Sequence, residues 1–404
     1  MLAPSTAAAT DPPEHPGVRR DTVTRPPMFH ILLPRAMDLD AAAAEAEAGR
    51  CPRQGMALLA RELGAAVHEA RDGDVATPDR WRSMLAGPPS LWAAARALAR
   101  EVGPQDRIFC ASEAGGLQVA AVCGSLPERP RICVFAHNLD RPRARAALGL
   151  WKAAHRVDLF LACSQRQVDF LRGHLGLPPD RVRFVWDHTD TRFFSAGPAR
   201  RGPRPVIASV GLEQRDYRTL AAATHGLDVD VRISGSSNDA ATLARTFPDP
   251  MPANMTRQFY SWPDLRQLYR DAAVVVVSVR ENRYAAGVQS LMEALACGRP
   301  VVATASEGLR GYLDEGAVAC VAPGDPVAMR AAIRSVLEDP AAAAALAERG
   351  HATAQRRHAM ERYVDEVAGH LRSMPRSGRR APAALPAALQ GSVRGGSSGT
   401  RPRH

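Results

Sequence analysis

The chain has 404 residues and is 46% hydrophobic, too long for one ordinary core and suited to two domains. Its formal net charge is +10, but residues 372–404 hold seven arginines and no acid, which leaves +3 for the rest (10 less 7) and argues against a nucleic-acid-binding surface. No run approaches the roughly 18 apolar residues of a membrane-spanning helix, and the amino terminus has neither the charged nor the apolar segment of a secretory signal.

Residues 1–27, rich in Ala, Pro and Thr, are expected to be disordered. MFHILLP, from Met28, reads as a first strand. A loop holding Gly49 and Gly55 leads to a helix, QGMALLARELGA, and a short strand, AAVHEA. Gly55 at the helix start suits either the close approach of a ligand or plain turn chemistry. RIFCAS and RICVFAH read as parallel strands joined by a helix from about Gly116 to Cys123. DLFLACS is a further strand, with Ser164 as cap of the next helix, and RVRFVWD follows. Strands and helices alternating at this spacing imply a doubly wound parallel sheet, whose ligands bind beyond the carboxyl ends of the strands. His137 stands at one such end.

SAGPARRGPRP (Ser195–Pro205) reads as a linker. A second strand series follows in PVIASVG, VDVRISG, AAVVVVSV, PVVAT and AVACVAPGD, then helices from about Pro326 to Leu371. The expected layout is a disordered segment 1–27, an amino domain 28–194, a linker 195–204, a carboxyl domain 205–355, a last helix 356–371 and a mobile Arg-rich tail 372–404. The seven cysteines (Cys51, Cys110, Cys123, Cys133, Cys163, Cys297 and Cys320) are odd in number and lack a CxxC pair. That favours a reducing cytoplasm over a disulfide framework or zinc site. Cys297 reads as packing, since no base partner accompanies it.

The richest segment is AAGVQSLMEALACGRPVVAT, Ala285 to Thr304. It follows a strand too apolar to have a wet face. A helix opens near Val288, ends at Gly298 and Pro300, and leads into another strand. The helix start offers unpaired N–H groups and partial positive charge, which suit a phosphate. Glu293, six positions beyond Gly287, can accept hydrogen bonds from a sugar diol.

This segment resembles the nucleotide-sugar site of glycosyltransferase family 4, retaining enzymes of GT-B fold. The family pattern has two glutamates eight positions apart; the second falls on Glu293, whereas the first falls on Ala285. Glu281 and Asn282, just upstream, are candidate substitutes. The resemblance extends from about Asp158 to Tyr363, and more weakly from Met28. The phrase Asp187, His188, Thr189, Asp190, Thr191 and Phe194 resembles the family's domain junction. ASVGLEQRDYRTLAAA resembles the opening of its nucleotide domain, which implies that Gly211 borders the donor and that Arg215, or secondarily Arg218, faces the diphosphate. NMTRQFYSWPDLRQLYRDAAVVVVSV resembles the block that grips the base, with Arg257, Gln258 and Phe259 in place and Tyr260 or Trp262 as alternative stacking partners. His137 resembles the amino-domain histidine that faces the sugar.

The resemblance therefore implies two Rossmann-like domains facing across a cleft, an amino domain for the acceptor and a carboxyl domain for a UDP- or GDP-sugar. The last helix would cross back to the amino domain. Donor contacts would come from Gly211, Arg215, Arg218, Arg257, Phe259, Ala286, Gly287, Val288 and Glu293, and the catalytic set would be His137, Arg215 and Glu293. It implies transfer to a glycan, lipid or natural-product hydroxyl with retention and without a metal or cofactor. A same-fold phosphorylase or epimerase, or a non-catalytic sugar-nucleotide binder, shares these features. The Arg-rich tail suits weak docking on an anionic membrane at its cytoplasmic face.

Overall fold

The structure, a computed structural model, describes residues 28–375 except Leu85, Arg201, residues 236–245 and Glu315. The expectations for residues 1–27 and for the tail beyond 375 lie outside the described residues. The amino half runs β1 (Phe29–Leu33), α1 (Leu39–Glu47), α2 (Gly55–Leu63), β2 (Ala66–Glu69), α3 (Thr77–Ser83), α4 (Pro89–Leu98), β3 (Arg107–Cys110), α5 (Glu113–Val122), β4 (Arg131–Ala136), α6 (Pro142–Leu150), α7 (Ala153–Arg156), β5 (Leu159–Ala162), α8 (Gln165–Asp169) and β6 (Val182–Phe184). The carboxyl half runs β7 (Val206–Val210), α9 (Tyr217–Thr224), β8 (Asp230–Ser234), β9 (Met255–Gln258), α10 (Trp262–Asp271), β10 (Ala272–Val277), α11 (Val288–Ala296), β11 (Val301–Thr304), β12 (Ala319–Val321), α12 (Pro326–Glu338), α13 (Pro340–Arg357) and α14 (Met360–Ser373).

The strands form two six-stranded sheets, ordered β2-β1-β3-β4-β5-β6 and β12-β11-β10-β7-β8-β9, with every neighbouring pair parallel. Both faces of each sheet are covered by helices, which explains why β10, with four consecutive valines, carries no polar alternation. This is the two-domain GT-B architecture that the alternating elements and the resemblance led us to expect.

One face of the amino sheet packs on α4, α5, α7 and α8; the other packs on α2 and α14. In α14, Met360, Tyr363, Val364, Val367, Ala368 and Leu371 recur at helical spacing and bury against Ile31, Phe109, Phe135 and Leu161. The chain thus ends its folded course on the amino sheet. The expected single helix from 356 is interrupted: α13 ends at Arg357, Ala359 pairs with Thr189 at the domain junction, and α14 starts at Met360.

Several elements depart from the sequence reading. Helix α1 occupies part of the expected loop; it has no buried residue, so no apolar stripe announced it, and Asp38 caps it by accepting from the Ala41 amide. Helix α5 begins at Glu113 rather than Gly116. Gly116 lies inside it because a Cβ there would sit 2.5 Å from Val134 Cγ1, so this glycine marks close helix–strand packing rather than a helix start. Arg257 and Gln258 belong to edge strand β9, not to an irregular slot. Ser164 caps α8 as expected, its hydroxyl accepting from the Gln167 amide.

Candidate functional site

The carboxyl wall of the cleft is assembled where β7 and β10 end. Gly211 follows β7 with φ +106°, and Gly287 precedes α11 with φ +94°. Both positive angles favour glycine. Each glycine also makes room for the same side chain. A Cβ on Gly211 would collide with the Arg215 guanidinium, and one on Gly287 would lie 2.9 Å from Arg215 Nη1.

Arg215 is 4% exposed. Its Nε and Nη2 donate to the Val210 carbonyl at 2.8 and 2.6 Å, and Nη2 also donates to Ser290 Oγ at 2.7 Å. Ser290 in turn donates to the Gly287 carbonyl. Nη1 is buried and has no hydrogen-bond partner. A buried, fixed, unsatisfied N–H on a permanent cation is costly unless an acceptor arrives. It lies beside the mouth of α11, where no side chain caps the helix and the dipole favours an anion.

Glu293 lies within α11 and is 4% exposed. Tyr269 Oη donates to its Oε2 at 2.8 Å and Gln289 Nε2 donates to its Oε1 at 3.0 Å. Burial pushes its carboxyl up to about 7, against the pull of Gln289, Tyr269 and the Arg215 charge. Those two donors leave carboxylate lone pairs for a diol, but Gln289 and Tyr269 cover it. Gln289 also reaches Thr189 Oγ1, at 3.4 Å, in the domain junction.

The other expected donor residues are placed as follows. Ala286 and Val288 are buried on either side of Gly287. Arg218 has a different partner from Arg215: it is exposed and its Nε donates to the Phe247 carbonyl. Arg257 lies over the Phe247 ring at 4.1 Å and donates to the Gly235 carbonyl beyond β8. Phe259 is 77% exposed and Trp262 is 46% exposed, so both aromatic faces are open. Tyr260 is half-buried. Ala285 packs on the core, and the two proposed substitutes are committed to the loop: Glu281 accepts from the Glu307 amide, and Asn282 bridges Arg280 and Tyr284.

The amino wall centres on His137, beyond β4. Glu113, the first residue of α5, accepts from the His137 and Asn138 amides at 3.0 and 3.1 Å and lies 3.4 Å from His137 Nδ1. Burial disfavours a charged imidazole there, but Glu113 and then Asp187 outweigh it and raise the His137 pKa. The side chain remains 41% exposed, so it sits on the cleft surface rather than in a core. Asp187 also accepts from the His188 amide; His188 stacks on Tyr363 at 3.9 Å. The start of α2 fits tightly against His188, where a Cβ on Gly55 would lie 2.5 Å from its Nε2. An adjoining cavity of about 270 Å³ is lined by Pro34, Arg35, Gln54, Gly55, Met56 and His188.

The two walls touch through Arg166–Glu307 (3.2 Å), Arg141 over the Tyr284 ring (4.4 Å), and Tyr312 Oη donating to the Cys163 carbonyl (2.7 Å). At the junction, Arg53 pairs with Asp190 and Glu361 and so ties the start of α2 to α14. Sequence reasoning missed Ser290, Gln289, Tyr269 and Glu113. Ser290 was findable, three positions past Gly287 in the same motif. Tyr269 and Glu113 carried no local signal. Cys297 is buried and its thiol is pushed up to about 12, mainly by burial, in keeping with a packing role; none of the seven cysteines forms a disulfide. Among the described residues no group of three or more His, Cys, Asp or Glu side chains gathers as a metal site, and no helix is long and apolar enough to cross a membrane.

Two facing Rossmann-like sheets, with a buried arginine at a helix mouth in the second, define a protein of GT-B fold. Residues 48–193 match the family profile described as Glycosyltransferase Family 4, and residues 215–369 match that described as Glycosyl transferase-like. Both profiles describe glycosyltransferases; each covers less than half of the chain, one the amino half and the other the carboxyl half. The chain is 28% identical over 261 residues (61% of this chain, 52% of the relative) to D-inositol 3-phosphate glycosyltransferase 1 of Catenulispora acidiphila. It is also 28% identical over 175 residues (42% and 51%) to the lipopolysaccharide core biosynthesis glycosyltransferase LpsE of Rhizobium meliloti. The match spans about half the length of these curated relatives. Among solved structures, Anabaena HepE in complex with UDP and glucose superposes with a TM-score of 0.59 at 15% identity, covering 85% of this chain and 99% of that one.

Proposed function

We propose that the protein transfers a sugar from a nucleotide-diphosphate donor to an acceptor hydroxyl. The observation that carries this reading is Arg215 Nη1, a buried guanidinium N–H without a partner, fixed beside the mouth of α11. A diphosphate oxygen there would satisfy it and the first-turn amides together. Negative charge grows on the diphosphate as the bond to the anomeric carbon breaks, so donors already in place lower the barrier. In this reading protein groups, without a metal, neutralise the leaving group. Glu293 accepts from the ribose hydroxyls after Gln289 shifts, and the region of Arg257 and Phe259 takes the base.

The amino domain would present the acceptor, with His137 beside the reacting sugar. The new bond forms between acceptor oxygen and anomeric carbon on the face the diphosphate leaves, so configuration is retained. The acceptor proton passes to the departing phosphate oxygen. HepE's complex with UDP and glucose makes UDP-sugars the first donors to try, with GDP-sugars second. The acceptor would be a glycan, lipid or natural-product hydroxyl, and the site of action the cytoplasm.

Ala285 favours a second reading, a protein that binds the donor without transferring its sugar, because the two upstream candidates, Glu281 and Asn282, are engaged within their own loop. A thermal-shift panel of nucleotide sugars on wild type, Arg215→Gln and Glu293→Ala tests the first reading. A donor at about 100 times its Kd stabilises by about 2.7 kcal/mol. One UDP- or GDP-sugar should stabilise wild type and neither variant; if none does, the donor assignment fails. Stabilisation without sugar transfer to any member of an acceptor library supports the binding protein. Release of a sugar phosphate in inorganic phosphate would instead mark a phosphorylase.

A further inference from the structure

Six large apolar side chains are well exposed among the described residues. Phe259 and Trp262 belong to the region assigned to the base, and Val327 stands alone on α12. The other three, Trp81 (66%), Met84 (73%) and Leu150 (59%), lie on α3, just after it, and at the end of α6. These segments are far apart in sequence but meet around one buried residue. The Arg82 guanidinium lies 5.7 Å from the Trp92 ring centroid, and Trp151 meets the same ring at 5.0 Å, edge to face. Trp92 is 1% exposed and acts as the post between them.

The charge around this patch is one-sided. Residues 80–100 hold four arginines and no acid; residues 141–157 hold four arginines, one lysine and no acid. Arg80, Arg82, Arg143, Arg145 and Lys152 are exposed. Asp79, the acid inside α3, is buried and held by Arg96 at 2.8 Å, so that pair cancels one of the four arginines of the first stretch and leaves the other three in excess. The exposed acids Asp72 and Asp74 precede the helix. Exposed cations and the exposed Trp81, Met84 and Leu150 therefore share the two segments that converge on Trp92.

We propose that this face, α3 with the end of α6, docks the protein on an anionic lipid surface. Tryptophan settles at the headgroup level, where its ring meets acyl chains and its N–H meets water. Arginine forks pair with lipid phosphates around it. Met84 and Leu150 add aliphatic surface that acyl chains can cover and that a nucleic acid, which reads aromatic faces, does not need. Helix α6 begins beside the cleft, where Arg141 covers Tyr284, and runs about 14 Å to Leu150, so the docked membrane would lie next to the cleft mouth. This reaches beyond the donor assignment and is measured without any donor.

The test is flotation of the full chain with phosphatidylcholine vesicles, with and without phosphatidylglycerol. The expected result is binding only to the anionic vesicles. It should weaken at least about tenfold in Trp81→Ser with Met84→Ser, and as much in Arg80→Glu with Arg143→Glu, since each cation near such a surface strengthens binding about fivefold. Deleting residues 376–404 should leave most of it. If the serine variant melts early, quenching of wild-type tryptophan emission by brominated acyl chains, lost in Trp81→Phe, reports the same contact. Absence of binding, indifference to both double variants, loss on tail deletion alone, or displacement of vesicles by single-stranded RNA would each overturn the proposal.

Discussion

On the carboxyl wall, Gly211, Arg215, Gly287, Ser290 and Glu293 come from two short stretches of chain, and the side chains of Arg215, Ser290 and Glu293 are buried. On the amino wall, His137 is open to the cleft, and its environment is gathered from the start of α5, the segment after β6 and, through His188, the start of α2. The first wall is locally encoded and, under the proposed function, would seat an anion. The second is a polar surface whose geometry depends on long-range packing. If the proposed function holds, that difference fits a division in which donor recognition is fixed and acceptor recognition varies with the loops.

Breaking the long-range ties should cost most. Asp190 is 2% exposed, and Arg53 holds its carboxyl below the usual range despite burial. Arg53→Ala should lower stability by about 3–5 kcal/mol in urea unfolding at neutral pH, because it strands a buried charge. The depressed carboxyl gives the sign of the pH effect: the pair's contribution holds above the ordinary aspartate range and fades on acidification. If the two walls are independent, the folded fraction of this variant still binds donor.

The next effect belongs to the carboxyl wall. The carboxyl of Glu293 is raised, so its contribution to stability is greatest below the ordinary glutamate value near 4.5 and declines as pH rises through about 7. Relative to Glu293→Gln, the wild type should lose roughly 3 kcal/mol between pH 4 and pH 8, from about 1.4 kcal/mol for each pKa unit. Thermal or urea melts of both proteins across that range check it. A flat difference would mean that the carboxylate is not desolvated.

Arg215→Gln should weaken nucleotide-sugar binding about a hundredfold in calorimetry, near 2.7 kcal/mol, as expected for loss of a charge-assisted contact to phosphate. Arg218→Gln, whose guanidinium serves the Phe247 carbonyl, should change it little. Equal losses would erase the distinction between the two arginines. The smallest effect is expected at Glu113→Gln. With the carboxylate gone, the His137 pKa should fall, and the pH limb that it sets on kcat/KM should move to lower pH. NMR titration of His137 would show the same shift, and no shift would remove Glu113 as its positioning residue.

The order of strands and the doubly wound sheets were legible, because a strand buried on both faces must be apolar throughout and its connections must be helical. The valines of β10 and the Gly298–Pro300 helix stop are examples. Helix α1 escaped because it buries nothing, and edge strand β9 escaped because Thr256, Arg257 and Gln258 are exposed. The glycines of α5 misled because a glycine that permits helix–strand contact looks the same in sequence as one that begins or ends a helix.

By itself, then, the sequence determined the layers and the seat at α11, since helix mouths, positive-φ glycines and a carboxylate within one helix are set by residues close together in the chain. Tertiary structure alone decided that Arg215 rather than Arg218 faces that seat with an unsatisfied N–H, that Tyr269 and Gln289 cover Glu293, and that Glu113 holds His137. Hydrogen-bond satisfaction and protonation follow from which groups burial brings within about 3 Å of one another, and residues distant in sequence give no local sign of that meeting.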